Sequence, residues 1–362
     1  MKKYAIVLIA LLVPLISCKK DNGGNDEEEL VDANLKTRTV TSGLADVWEM
    51  IYGTDQHIWI TERSGKVSRV NPETGVKTLV FTVPDVVGRG EGGLLGMAMH
   101  PQFTTTPWVY LVYNYGDYQE KVVRYTYASG TLTNPAIIID QIPAGNIHNG
   151  SRLAITSDQK LLITTGDAGV AANAQNINSL SGKVLRVNLD GSIPADNPIT
   201  NNRIWSLGHR NAQGLIEANG RIYSSEHGPN NDDEINIITK GGNFGWPNVE
   251  GYCNTTNEKT FCTANNVVEP ITTWTPTIAT AGISFYNSDY IPQFKNSILL
   301  VTLKGSKLIQ LKLNSTGDQV ESTKDYFGSE FGRLRAICQS PEGKVYIGSS
   351  NGNNDKIIEL AK

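Results

Sequence analysis

The chain has 362 residues, a formal net charge of −4 and four cysteines, none of them in a C-x-x-C pair. The scattered lysines of a net acidic chain argue against nucleic acid as a partner, which would favour a basic stripe. The cysteine spacing argues against a zinc or haem site built on cysteine.

Lys2 and Lys3 open a short apolar run, residues 4–16, which stops at Ser17 and Cys18. The run falls short of the roughly 20 residues that a spanning helix needs. A basic start, a short apolar core and a small residue before the cut describe a secretory signal over residues 1–17. Cys18 directly after Ser17 resembles the cleavage point of a bacterial lipoprotein, which implies a lipid anchor at Cys18 and a place in the cell envelope. Residues 18–38 are mostly polar, Gly- and acid-rich, and are expected to form a flexible tether, because they cannot bury enough apolar surface to fold. An oxidising compartment would leave Cys253 and Cys262, close together in a polar loop, free to pair. Cys338 lies in an apolar run and is expected as a buried free thiol.

About 320 residues follow the tether, long for one core unless the fold repeats. It does repeat. An apolar strand, a turn rich in Asp, Asn or Gly, and a second apolar strand recur at residues 47–70, 94–127, 153–187, 214–238, 282–313 and 336–360. The strands are short and rich in Val, Ile, Tyr and Thr, with almost no helical periodicity. Six copies of about 50 residues predict an all-β domain over residues 39–362, a six-bladed β-propeller of four-stranded antiparallel blades. A double β-sandwich would leave the repeat unexplained. In a propeller the loops between blades converge on one end of a central channel, so distant segments can share a site.

The densest chemistry lies in residues 204–252, which hold His209, Arg210, Asn211, His227, Gly228, Pro229 and the acidic run Asp232, Asp233, Glu234 among Trp, Tyr and Phe. Such a mixture suggests a ligand-binding mouth. His148 stands in a turn-like stretch before an apolar strand, and a histidine there can take a proton from a hydroxyl. Asp167 follows a strand expected near it. Its carboxylate would fix the imidazole tautomer, or simply close the turn at Gly166. Arg333 and Arg335 are two apart, so on a strand both would point to one face and converge on an anion. The acidic run lacks the alternating ligands of an EF-hand and reads as structural.

Read in chain order, GEGGLLG (90–96), HNGSR (148–152), TTGD (164–167), GKVLRVN (182–188), DGSIP (190–194), GHRN (208–211) and residues 225–252 form an ordered set. With residues 274–277, Leu303-Lys304 and Arg333-Leu334-Arg335, that set resembles the soluble quinoprotein sugar dehydrogenases, the glucose/sorbosone dehydrogenase family. The resemblance spans most of the chain after the tether. It implies a pyrroloquinoline quinone (PQQ) cofactor with Ca²⁺, oxidation of a sugar's anomeric hydroxyl to a lactone, and an external electron acceptor. It implies His148 as catalytic base, Asp167 as its orienting partner and Arg210 as the electrophilic partner at the quinone. Arg210, Asn211, Thr277, Lys304, Arg333 and Arg335 match the cofactor positions, and the carbonyls of Gly228 and Pro229 match the Ca²⁺ ligands. The substrate positions match less well. Ile147 stands where glucose-oxidising members have an acidic residue, and Glu91 where they have an amide. The rival readings are a propeller that binds carbohydrate or protein without catalysis, and a calcium-dependent propeller lactonase with carboxylates lining its channel.

Overall fold

The computed structural model describes Met1 and residues 35–362. The expected signal, the Cys18 anchor and most of the tether therefore lie outside the described residues. Among those described, no helix is long and apolar enough to cross a membrane.

Six four-stranded antiparallel sheets form a ring, the six-bladed propeller expected from the repeat. Their innermost strands are Val47–Tyr52, Leu94–Met99, Gly150–Ile155, Ala212–Ala218, Thr280–Tyr286 and Leu334–Gln339. Each packs against the innermost strand of the next blade all the way round. The outermost strand is the least buried of each blade. Ser297–Thr302, second in its blade, is buried at every residue, whereas the outermost strand Val320–Tyr326 is mostly exposed and polar. A polar outer edge blunts pairing with other chains. Ile298, Leu299, Leu300 and Val301 are fully buried, each worth about 1.5–3 kcal/mol. Leu299→Ala would cost about 2–5 kcal/mol.

The ring is closed by Lys36–Leu44, which pairs antiparallel with Asp355–Ala361 at the outer edge of the last blade. This strand begins inside residues 18–38, so the tether ends earlier than expected. Its side chains are mostly exposed, so no apolar alternation announces it. The polar loop after Tyr252 also differs from expectation, because it contains a helix, Thr256–Asn265, started by a Thr255–Glu258 capping box. Cys253 and Cys262 are joined in a disulfide across that helix, and Cys338 is free and buried.

Every innermost strand runs in the same sense through the ring. The residues just before these strands, and the loops between the second and third strands, therefore gather at one mouth of the channel. All the candidate site residues but Arg335, the second residue of its strand, fall in these positions.

Candidate active site

His148 precedes its strand with φ +57°, a left-handed conformation uncommon for a residue with a side chain. Two contacts hold it there. Its N–H donates to Glu91 Oε2 at 2.9 Å, and the 164–167 turn packs directly against its carbonyl. A Cβ on Gly166 would come within 1.9 Å of the His148 oxygen, so only glycine permits the approach. That approach puts Asp167 beside the ring: His148 Nδ1 and Asp167 Oδ1 are 2.8 Å apart. The Asp167 side chain is 2% exposed and that of His148 13%. The imidazole keeps some exposure while its partner is shielded. Burial alone would raise the Asp167 carboxyl, but the hydrogen bond and charge of His148, with N–H groups of Gly169 and Trp246, hold it below its usual range. The carboxylate stays ionised and fixes Nδ1 as the protonated nitrogen, leaving Nε2 free to accept a proton.

Arg210 and Asn211 enter the neighbouring blade. The Arg210 carbonyl accepts the Asp167 N–H at 2.8 Å, and its own N–H donates to Glu226 Oε1. Its guanidinium reaches the His227 carbonyl at 3.2 Å and lies 5.3 Å from the Trp246 ring centroid. Burial lowers its pKa, against the pull of Asp167 and Glu226. Asn211 is buried, and its Oδ1 accepts from Gly150 N and Gln213 Nε2. What it has left for a ligand is its Nδ2 donors.

The Gly228–Pro229 turn is shaped by Asp233, whose Oδ1 accepts from Gly228 N and whose Oδ2 accepts from Ile278 N and Ala279 N. This carboxylate bolts the turn to the loop that carries Thr277. Asp232 pairs with Thr275, and Glu234 accepts from Gly251 N and Asn236 Nδ2. Burial pushes Glu234 up to about 8. All three acidic side chains have protein partners, as a structural run requires. Among the described residues, no hydrogen bond ends on the carbonyls of Gly228 or Pro229.

On the next two blades, Lys304 Nζ donates to Thr277 Oγ1 at 3.2 Å, joining two of the expected cofactor residues. Arg335 donates to Gln213 Oε1 at 3.0 Å, and its guanidinium lies 5.9 Å from the Trp48 ring centroid. Burial first, then the guanidinium groups of Arg152 and Arg63, push Arg335 down to about 9. Arg333 corrects the strand argument. The strand begins at Leu334, and its register shifts between Leu334 and Ala336, so simple alternation does not apply. Arg333 stands exposed before the strand, where its charge still bears on Arg335.

Some contributors carry no sequence signal of their own. Arg63 holds the 90–92 loop by donating to the Gly92 carbonyl. Lys183 is fully buried and donates to the carbonyls of Asn173, Ala174 and Ser181, tying down the segment after Asp167. Gln213 bridges Asn211 and Arg335. Trp246, within the segment singled out for its composition, donates its indole N–H to Asp167 Oδ2 at 2.9 Å.

Residues 44–359 match the model of the family described as Glucose / Sorbosone dehydrogenase. The chain is 41% identical over 256 residues to quinoprotein glucose dehydrogenase B of Acinetobacter calcoaceticus, covering 60% of this chain and 54% of that relative's length. It is 30% identical over 336 residues to the aldose sugar dehydrogenase YliI of Escherichia coli, covering 87% and 90%. The solved PQQ-bound aldose sugar dehydrogenase of Streptomyces coelicolor superposes with a TM-score of 0.81 at 30% identity, over 91% of this chain and 98% of that one. With a family match running from the first blade into the last, the chain belongs to the glucose/sorbosone dehydrogenase family.

Proposed function

We propose that this protein is a PQQ- and calcium-dependent oxidoreductase that converts the anomeric hydroxyl of an aldose to a lactone and passes electrons to an external acceptor. The observation that carries the reading is one mouth where the His148–Asp167 pair faces a convergence of cations from several blades. The quinoprotein glucose dehydrogenase and the PQQ-bound aldose sugar dehydrogenase among its relatives support it. The residues fit the cofactor. The Nε atoms of Arg210 and Arg335 are buried without a hydrogen-bond partner among the described residues, and unsatisfied buried donors favour an anionic ligand. Arg210, Asn211, Thr277, Lys304, Arg333 and Arg335 would hold the PQQ carboxylates and carbonyls. The unbonded carbonyls of Gly228 and Pro229 offer the hard oxygen donors that Ca²⁺ takes.

In this reading His148 Nε2 removes the proton from the anomeric hydroxyl while Asp167 keeps the ring oriented and offsets the imidazolium charge. Arg210 supplies fixed positive charge at the reacting end of the site. PQQ, when bound, supplies the two-electron acceptor. Among the described residues no three His, Cys, Asp or Glu side chains are grouped to hold a metal, which leaves the lactonase alternative without its carboxylate-lined site. The signal and Cys18 place the protein, on this reading, as a lipoprotein of the bacterial envelope.

Reconstitution of chelated apo-protein tests the proposal, with dye reduction followed across a panel of aldoses. Activity should return only when PQQ and Ca²⁺ are added together. Equal turnover with NAD, flavin or no cofactor would sink the reading. Ligand binding without turnover would instead identify a non-catalytic carbohydrate-binding propeller.

A further inference from the structure

Residues 239–271 leave the far end of the fourth blade after the strand Asp233–Ile238 and return to the mouth of the channel before the outermost strand Thr272–Trp274. At the mouth this excursion presents Trp246. The indole N–H meets Asp167 Oδ2 at 2.9 Å, and the ring lies 5.3 Å from the Arg210 guanidinium. One side chain thus touches both the carboxylate behind the proposed base and the neighbouring cation.

The backbone around it is pinned to the third blade and to its link with the fourth. Trp246 N donates to Gly208 O at 3.1 Å, and Trp246 O accepts from Gln175 Nε2 at 2.8 Å. Gln175 and Asn243 exchange a reciprocal pair of amide hydrogen bonds, each 2.9 Å. Behind it, the disulfide Cys253–Cys262 and the capped helix complete the excursion, although no residue of that helix is buried. A helix that buries nothing adds little to the core, so this construction points to what it presents.

We propose that Trp246 is a positioning residue that locks the Asp167 carboxylate in the orientation the base requires. This rests on the role proposed above for His148 and Asp167. Asp167 Oδ1 receives His148 Nδ1 and the Gly169 N–H at 2.7 Å, while Trp246 is the donor to Oδ2. A carboxylate held at both oxygens resists rotation about its Cβ–Cγ bond more strongly than one held at a single oxygen. Removing the indole donor would therefore loosen the aim of His148 Nε2, and misplacement of about 1 Å can cost about 100-fold in rate.

The test is nuclear magnetic resonance of ¹⁵N-labelled apo-protein, which needs neither cofactor nor sugar. The chain has six tryptophans, and W246F identifies the indole line of Trp246 by its disappearance. D167A should move that line and speed its solvent exchange while the other five stay in place. In W246F the downfield imidazole N–H signal of His148 should broaden or vanish with the melting temperature unchanged. On reconstitution its turnover should fall by about 10–100-fold at unchanged PQQ affinity. A W246F protein that keeps both the imidazole signal and its turnover overturns the inference. If W246F does not fold, the Trp246 line is assigned through W246H, and failure of D167A to move it overturns the inference equally. The expected shifts in a protein that oxidises no sugar with PQQ would uphold the positioning role and refute the proposed function instead.

Discussion

The two mouths of the channel are built from the same six strands and could hardly differ more. At the lower mouth, the ends of those strands line a cavity of about 350 Å³ with Met50, Met97, Leu153, Leu215, Ile283 and Ile337. Its charged pair, Glu49 and Arg152, stands 2.5 Å apart, and Arg152 also donates to Gln213 O and lies 4.2 Å from the Trp48 ring centroid. At the upper mouth, His148, Ser151, Ala168 and Asp232 adopt left-handed backbone conformations. Burial, with the guanidinium groups of Arg152 and Arg63, depresses Arg335, and a histidine is paired with a carboxylate. The lower cavity holds none of the candidate site residues. A paired histidine and carboxylate mark the candidate site better than volume does.

The sharpest way to break this contrast is at the base. His148→Gln keeps a polar side chain of similar reach but removes the proton acceptor, so turnover should fall by about 10²–10⁴-fold. PQQ affinity and melting temperature should hardly move. Near-normal turnover would remove His148 from the mechanism, and failure to fold would leave it as a residue that shapes a turn. The cation cluster comes next. Arg335→Ala or Lys304→Ala should weaken PQQ binding by about 2–3 kcal/mol, the loss typical of a charge-assisted hydrogen bond. Unchanged affinity in both variants, measured by titrating PQQ absorbance, would place the clamp elsewhere.

These residues were legible to very different degrees. The six blades could be read because each inner strand is apolar and bracketed by turn residues, a local signal repeated six times. The closing strand could not, because Lys36–Leu44 is polar and gains its meaning from Asp355–Ala361 at the other end of the chain. His148 and Asp167 lie on adjoining turns of one blade, so their meeting was readable from nearby sequence. Arg333 was misplaced because strand alternation was assumed across a bulge. The charges of Arg63 and Arg152 on Arg335, and the reach of Trp246 to Asp167, depend on ring closure and on a long excursion. No local pattern encodes either.

A smaller effect separates a buried carboxylate that has a cation from one that does not. Glu49 faces Arg152, whereas Glu120, behind the upper mouth, accepts only the Ser151 hydroxyl at 2.6 Å. Its other oxygen is buried without a partner among the described residues. Burial pushes Glu120 up to about 8, well above the ordinary value near 4.3 of an unfolded chain. Between those values the unfolded chain releases a proton that the folded one keeps, so stability falls as pH rises through this window. Thermal melts from pH 5 to pH 9 should show that decline in the parent, and Glu120→Gln should flatten it. An equally steep decline in the variant would assign it to another group.

The smallest expected effect is also the strictest test of the contrast. Ile155 lines the lower cavity at the end of the very strand that follows His148. Ile155→Phe grows into open volume there, so the overpacking cost of about 1–3 kcal/mol that a filled core would exact should be largely avoided. If the lower cavity is independent of the upper mouth, turnover and PQQ affinity should stay within about twofold of the parent, because no side chain of the upper mouth needs to move. A larger loss of PQQ affinity with an intact fold would mean that pressure on the void reaches Arg335 through Arg152 and Trp48, the groups that lie between the two ends. The ion pair would then be a strut for the cation cluster, and the two mouths one device.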